Sequence, residues 1–215
     1  MKGTTHLTIG MVIGAGAAAY YSFSPANAAA YVAVAAISAL SADLDGPSIL
    51  SSKLGKVSKL IHDLLIWGGV IMIAIVSYLY VVNHTVGWKL LVASVGVVLL
   101  GLVAKRGVIR NALVSAIGGA FVYGGFYFGM NWLIGLGAFV ALAPWLKHRG
   151  MTHTVWATAA WGAIAWGLEQ QLHLEGIMRV AVIGYLSHLF ADTLTPSGVK
   201  WLYPLYKKPF KLSIF

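Results

Sequence analysis

Eight apolar runs, at about residues 7–23, 28–42, 64–82, 88–104, 112–129, 131–146, 154–168 and 177–194, constrain this chain more than any other feature of it. Most approach the roughly 20 residues that carry a helix across a bilayer. The runs ending near Leu40 and at Leu146 are short, so each needs packed partners or local bilayer thinning to cross. Hydrophobic residues make up 59% of the chain and charged residues only 10%, outside the range of ordinary soluble domains. Inside lipid the backbone must satisfy its own hydrogen bonds, and long continuous runs select helices over a barrel. The expected fold is therefore an all-α integral membrane protein: one transmembrane domain over residues 1–215, built as a bundle of about eight spans.

The cations set an expected orientation. With the loops numbered alternately, one side receives Lys2, Lys53, Lys56, Lys59, Lys105, Arg106, Arg110, Lys147, Arg149, Lys200, Lys207, Lys208 and Lys211, and the other only Lys89 and Arg179. This bias predicts cytoplasmic termini and an even number of crossings. The net charge of +9 then belongs to loops facing anionic headgroups, and nucleic acid is not an expected partner. Lys2, the run from Leu7 and Ala26-Asn27-Ala28 imitate a cleaved secretory signal. The run is long for such a signal, so retention is expected. The chain contains no cysteine, which removes thiolate chemistry.

Residues 46–63 differ in kind. Leu50, Leu54, Val57, Ile61 and Leu64 recur at helical spacing, with Ser52, Lys53, Lys56, Lys59 and Asp63 opposite them. This predicts a basic interfacial helix whose Lys53, Lys56 and Lys59 meet lipid phosphates. A solvated helix packed on the bundle is the alternative.

Of the histidines and acidic residues, His84, Glu169, His173 and Glu175 fall on the expected outer side, and the rest gather at the expected cytoplasmic ends of the spans: His6, Asp43, Asp45, His62, Asp63, His148, His153, His188 and Asp192. Such groups at membrane depth are costly and are retained for function. His188 and Asp192 lie one helical turn apart and can reach one cation, although a simple hydrogen-bonded pair would also satisfy them. Asp43 and Asp45 would diverge in a regular helix, but Gly46-Pro47 should unwind its end and turn both toward one site; capping of the next helix is the alternative. In Lys147 to Thr154, Gly150 permits a tight reversal, Thr152 can cap the seventh span, and His148 and His153 can meet at one site. Arg149 offers a fork for phosphate, unless Lys147 and Arg149 only anchor the topology. A mixed His and Asp set suits Zn²⁺, with Mn²⁺ or Fe²⁺ as alternatives, and more than four ligands implies two or three ions. Such a cluster can activate water and hold a phosphoester.

Several of these stretches together resemble the YdjM-like family of bacterial inner-membrane proteins: Thr5-His6, Asp43-Leu44-Asp45, His148-Arg149-Gly150-Met151-Thr152-His153-Thr154, and Gly184-Tyr185-Leu186-Ser187-His188 to Asp192 with Thr195-Pro196-Ser197-Gly198-Val199. The resemblance implies metal-dependent hydrolysis, with metal roles for His6, Asp43, Asp45, His148, His153, His188 and Asp192. The implied metal set is similar to that of zinc-dependent phospholipase C and P1-type nucleases. Ala42 and Gly46 stand where members carry proline and histidine, so one ligand is either missing or supplied by His62. Short members also run from the basic helix almost directly into the His-Arg-Gly block, so residues 64–146 would be four extra spans.

The expected function is a hydrolase in the bacterial plasma membrane that cleaves a phosphoester of a membrane lipid or amphiphile at the cytoplasmic leaflet. Asp45 or another metal-bound carboxylate would orient or deprotonate the attacking water, Arg149 would hold phosphate, and Thr152 and Thr195 would contact substrate. Two alternatives stay open: an ion- or proton-coupled transporter, and a structural or regulatory protein whose metal serves stability alone. The oligomeric state is not legible.

Overall fold

The structure, a computed structural model, describes residues 1–21, 24–84 and 87–212. It is all-helical. Among the described residues there are eight α-helices: α1 (Gly3–Tyr20), α2 (Pro25–Ser41), α3 (Ser52–Asn83), α4 (Trp88–Val103), α5 (Arg106–Phe128), α6 (Asn131–Leu142), α7 (Val155–Leu172) and α8 (Ile177–Thr193). Short 3₁₀ turns occupy Ala42–Asp45, Ala143–Trp145 and Met151–His153. The last two residues of the first expected apolar run, 22 and 23, lie outside the described residues.

Among the described residues, three helices are long and apolar enough to cross a membrane: α2 with its terminal turn (Pro25–Asp45), α3 and α5. Helix α4 and the segment Asn131–Trp145 are apolar but shorter. The remaining helices are diluted by polar residues, such as Thr4, Thr5, His6 and Thr8 in α1 and Arg179, His188 and Asp192 in α8.

The described residues pack as two compact units, one of residues 1–51 with 114–215 and one of residues 52–113. In the first, α2 packs on both α1 and α8, and α7 packs on α8 and α6. Ser24 caps α2 by accepting from the Asn27 N–H, with Pro25 preset for the first turn. The Ala26-Asn27-Ala28 tripeptide lies inside that turn. Glycines set the spacing around α2. A Cβ on Gly10 of α1 would stand 2.8 Å from the Ala35 carbonyl oxygen, and one on Gly184 of α8 would stand 2.8 Å from the same oxygen. The three backbones therefore approach more closely than any larger residue allows. Tyr31, Ala35, Ile177 and Val180 fill one core between them, and Trp161, Ala181, Tyr185 and Leu189 fill another. Because α1 runs antiparallel to α2 and α8 runs parallel to it, the start of α1 and the ends of α2 and α8 meet at one end of this unit.

In the second unit, Gly69 of α3 meets Val98 of α4 and Gly101 meets Ile66, an antiparallel pair of close contacts. The basic stretch from Ser52 and the run expected as the third span are one continuous helix here, 32 residues and therefore about 48 Å long. No helix boundary separates Asp63 from Leu64, and residues 46–51 are turn and bend rather than helix. No proline interrupts 52–83, and Asp63 finds its partner sideways, in the Arg106 guanidinium at 2.9 Å. Lys53, Lys56 and Lys59 ride on the first two turns of this helix.

Candidate metal centre

The last turn of α2 tightens into 3₁₀ at Ala42, before Gly46 is reached. Two residues apart, side chains diverge by about 160° on an α-helix but only about 120° on a 3₁₀ helix, so the tightening swings Asp43 and Asp45 toward a common side. The two then take different tasks.

Asp45 is fully engaged. Its Oδ1 lies 2.7 Å from His148 Nδ1, and its Oδ2 accepts from the Arg149 backbone N–H at 2.9 Å and from the Thr152 hydroxyl at 2.6 Å. His153 Nδ1 stands 3.4 Å from the same Oδ2. One buried carboxylate thereby gathers the whole turn from His148 to His153. That turn reverses at Arg149, whose φ is +57°, and at Gly150, where a Cβ would come within 2.6 Å of the Lys147 carbonyl oxygen. Gly46 is extended and gives His148 room, since a Cβ there would meet His148 Nδ1 at 3.3 Å.

Thr152 does not cap α7, as its position suggested. Thr154 does, accepting from the Ala157 N–H at 3.2 Å. The cap needs extended backbone, which Thr154 has, whereas Thr152 sits inside the 3₁₀ turn and is free to bond Asp45.

Asp43 keeps its oxygens open. Its Oδ1 lies 3.6 Å from His188 Nε2 and 3.8 Å from His153 Nε2, and both of these imidazoles also stand 3.8 Å from Asp192 Oδ2. His188 Nδ1 donates to the Ala39 carbonyl at 2.7 Å, which fixes the tautomer and leaves Nε2 with its lone pair. His6 stacks on His188 with ring centroids 3.8 Å apart, and its Nε2 lies 3.4 Å from Asp192 Oδ1. The Met1 amino group meets that oxygen at 2.8 Å, and Arg149 Nη2 meets Asp192 Oδ2 at 3.0 Å.

Whether these residues fit a cation can be judged from the protein's own atoms. His153 Nε2, His188 Nε2 and His6 Nδ1 are buried and have no hydrogen-bond partner, a costly state for a polar atom. The distances of 3.6–3.8 Å to Asp43 and Asp192 are too long for hydrogen bonds. Two donors on one tetrahedral Zn²⁺ stand about 3.3 Å apart, so a small inward shift would place these atoms on a shared ion. Among the described residues, three overlapping sets have ligand atoms within 4.8 Å of one another: His6, Asp43 and His188; His153, His188 and Asp192; and Asp43, Asp45 and His148. The residues fit a divalent metal, and the sharing of Asp43 and His188 allows more than one.

His148 lies outside the spans and is more than half exposed. Its hydrogen bond to Asp45 raises its pKa above the usual imidazole value.

The structure thus brings His6, Asp43, Asp45, His148, Arg149, Thr152, His153, His188 and Asp192 to one end of the first unit. Thr195 joins them through Arg149 Nη1 at 3.5 Å, and the Gly198 carbonyl lies 3.4 Å from the same nitrogen. His62 lies in the second unit, with Nδ1 3.3 Å from Asp63 Oδ1, and none of the three ligand sets includes it. Tyr185 was not singled out from the sequence. Its buried hydroxyl donates to the Thr152 carbonyl and so steadies the turn that carries His153. The available signal was its place three residues before His188, on the same helix face.

Among known proteins, the family described as YdjM inner membrane protein matches residues 1–215, the whole chain. No curated protein and no solved structure matches it.

Proposed function

The chain belongs to the YdjM inner membrane protein family, and from that premise we propose that it is a membrane-embedded, metal-dependent hydrolase acting on a phosphoester of a membrane lipid or amphiphile. One observation carries the reading: two buried imidazole nitrogens without hydrogen-bond partners, His153 Nε2 and His188 Nε2, converge on the carboxylates of Asp43 and Asp192. His6, Asp43, His153, His188 and Asp192 would hold the metal, and Asp43 would form a further set with Asp45 and His148 where their mutual hydrogen bond opens. Zn²⁺ suits this mixture best, with Mn²⁺ or Fe²⁺ as alternatives. A bound cation of this kind supplies Lewis acidity toward a phosphoryl oxygen and makes water acidic enough to react near neutral pH.

The chain's own groups divide the remaining work. Arg149 is a quarter exposed, is held through Asp192 and still has donors to spare, so it binds and orients a phosphate at the edge of the cluster. Asp43 is a fifth exposed and approaches His188 and His153 at 3.6 and 3.8 Å, beyond hydrogen-bonding distance, so its carboxylate takes the proton from the attacking water. Asp45, buried and fully bonded, positions the His148–His153 turn. Thr152 and Thr195 hold Asp45 and Arg149 in place. The cation distribution supports eight crossings with both termini and the site at the cytoplasmic face.

The test is elemental analysis and turnover on one preparation. Purified protein should carry stoichiometric Zn²⁺, Mn²⁺ or Fe²⁺ and release phosphate or a phosphorylated headgroup from vesicles. His188→Ala and His153→Ala should lose both properties. Metal-free wild-type protein that folds normally ends the reading, and ion flux through liposomes without hydrolysis replaces it with transport.

A further inference from the structure

The C-terminal segment, residues 200–212, has taken no part in the site so far. It reads Lys-Trp-Leu-Tyr-Pro-Leu-Tyr-Lys-Lys-Pro-Phe-Lys-Leu, with four lysines and no acidic residue. It has no regular helix, yet it is firmly tied to the first unit. Val199 and Phe210 exchange backbone hydrogen bonds at 3.0 and 2.9 Å, the Leu212 N–H donates to the Thr193 carbonyl at 2.9 Å, and the Val155 N–H donates to the Trp201 carbonyl at 3.0 Å. Trp201 Nε1 adds a bond to the Thr193 hydroxyl at 3.0 Å. Thr193 directly follows Asp192, and the Gly198 carbonyl accepts from Arg149, so this segment borders the metal centre.

What the segment shows outward is unusual for a surface in water. Leu205 is 80% exposed and Leu212 65%, with Tyr206 and Phe210 nearly half exposed between them. Lys207, Lys208 and Lys211 are exposed alongside these apolar groups. Lys200 Nζ stands 6.0 Å over the Tyr203 ring. Aromatic and leucine side chains interleaved with lysines match the boundary between acyl chains and anionic headgroups, where the rings settle at headgroup depth and the ammonium groups meet phosphate. The backbone ties give the surface a fixed shape.

We infer that residues 200–212 form a binding site for anionic phospholipid headgroups, seated beside the metal centre. Lys207, Lys208 and Lys211 contact the headgroup phosphate, and Leu205, Tyr206 and Phe210 enter the acyl region. This goes beyond hydrolysis and holds whether or not the protein is an enzyme.

The experiment uses the full chain in neutral detergent and counts retained lipid by native mass spectrometry after addition of phosphatidylglycerol or phosphatidylcholine. The expected result is preferential retention of phosphatidylglycerol that weakens with salt. It should be reduced about a hundredfold in Lys207→Gln/Lys208→Gln/Lys211→Gln, at about one factor of five per lysine. Helicity by circular dichroism and metal content of the variant should match wild type. Equal retention of the two lipids, undiminished phosphatidylglycerol binding by the variant, or displacement of the lipid by inorganic phosphate at equal concentration would each overturn the inference, the last by making it a free-phosphate site. If the triple variant loses helicity, the single change Lys208→Gln and the salt titration of wild type decide between the same outcomes.

Discussion

His188 Nε2 lies 3.6 Å from Asp43 Oδ1, beyond hydrogen-bonding distance, while the other nitrogen of the same ring is committed to the Ala39 carbonyl at 2.7 Å. One side of the imidazole is anchored and the other is aimed, unpaired and buried, at a carboxylate. Shared coordination of a cation would satisfy both groups.

His188→Ala should therefore remove metal without removing the fold. Elemental analysis should fall toward zero while far-ultraviolet circular dichroism keeps its helical signal. Chelation of wild-type protein should lower its melting temperature, since a ligand at about 100 times its Kd stabilises by about 2.7 kcal/mol. A melting temperature indifferent to chelator would contradict this.

Asp45 is a brace, and its removal should cost more than loss of any one of its partners. Thr152→Val deletes one donor and should destabilise by about 1–3 kcal/mol. Asp45→Ala strips acceptors from the Arg149 N–H, the Thr152 hydroxyl and His148 together, so its effect should exceed that of Thr152→Val. Thermal melts of chelator-treated samples separate this structural cost from metal loss.

The two glycines beside the turn should respond differently to alanine. At Gly150 the added Cβ would press within 2.6 Å of a backbone oxygen, so the His148–His153 turn must reopen and metal content should fall. At Gly46 the Cβ meets only the His148 ring at 3.3 Å, and the backbone is extended, so no conformational strain follows. Gly46→Ala should leave stability nearly unchanged and weaken only binding that involves His148, read as a lower metal-to-protein ratio on titration.

The His148–Asp45 pair gives metal-free protein a pH dependence with a definite sign. His148 has a raised pKa because of its hydrogen bond to Asp45. Its stabilising effect is fully present below the unfolded imidazole value and fades as pH rises through the higher folded value. Melting temperatures measured with chelator should therefore decline over that interval, and the decline should be shallower in His148→Gln. The effect is modest because the ring is more than half exposed. In the opposite sense, metal loading at this end must expel the His148 proton, so affinity should drop on acidification. A titration curve unchanged by His148→Gln would refute both statements.

Hydropathy and local spacing were enough to read the helices and the candidate ligands. An apolar run makes a helix in lipid whatever its neighbours do, and His188 and Asp192 share a face because they are four residues apart on one. The same locality explains where reading along the chain stopped short. It could not tell that α3 continues without a break from Ser52 to Asn83, since helix termination there depends on partners such as Arg106. Nor could it tell that Thr154 caps α7 in place of Thr152, because Thr152 is taken by a carboxylate more than a hundred residues away.

By itself, then, the sequence determined that this is a helical membrane protein whose histidines and aspartates, His62 and Asp63 inside α3 apart, collect near helix ends, because burial of apolar runs and the helical repeat act over a few residues. Only the tertiary structure decided which of those groups meet, which carboxylate is spent as a brace and which stays open. The reason is geometric: convergence depends on how closely α1, α2 and α8 approach at Gly10, Ala35 and Gly184, a distance set by packing between segments far apart in the chain.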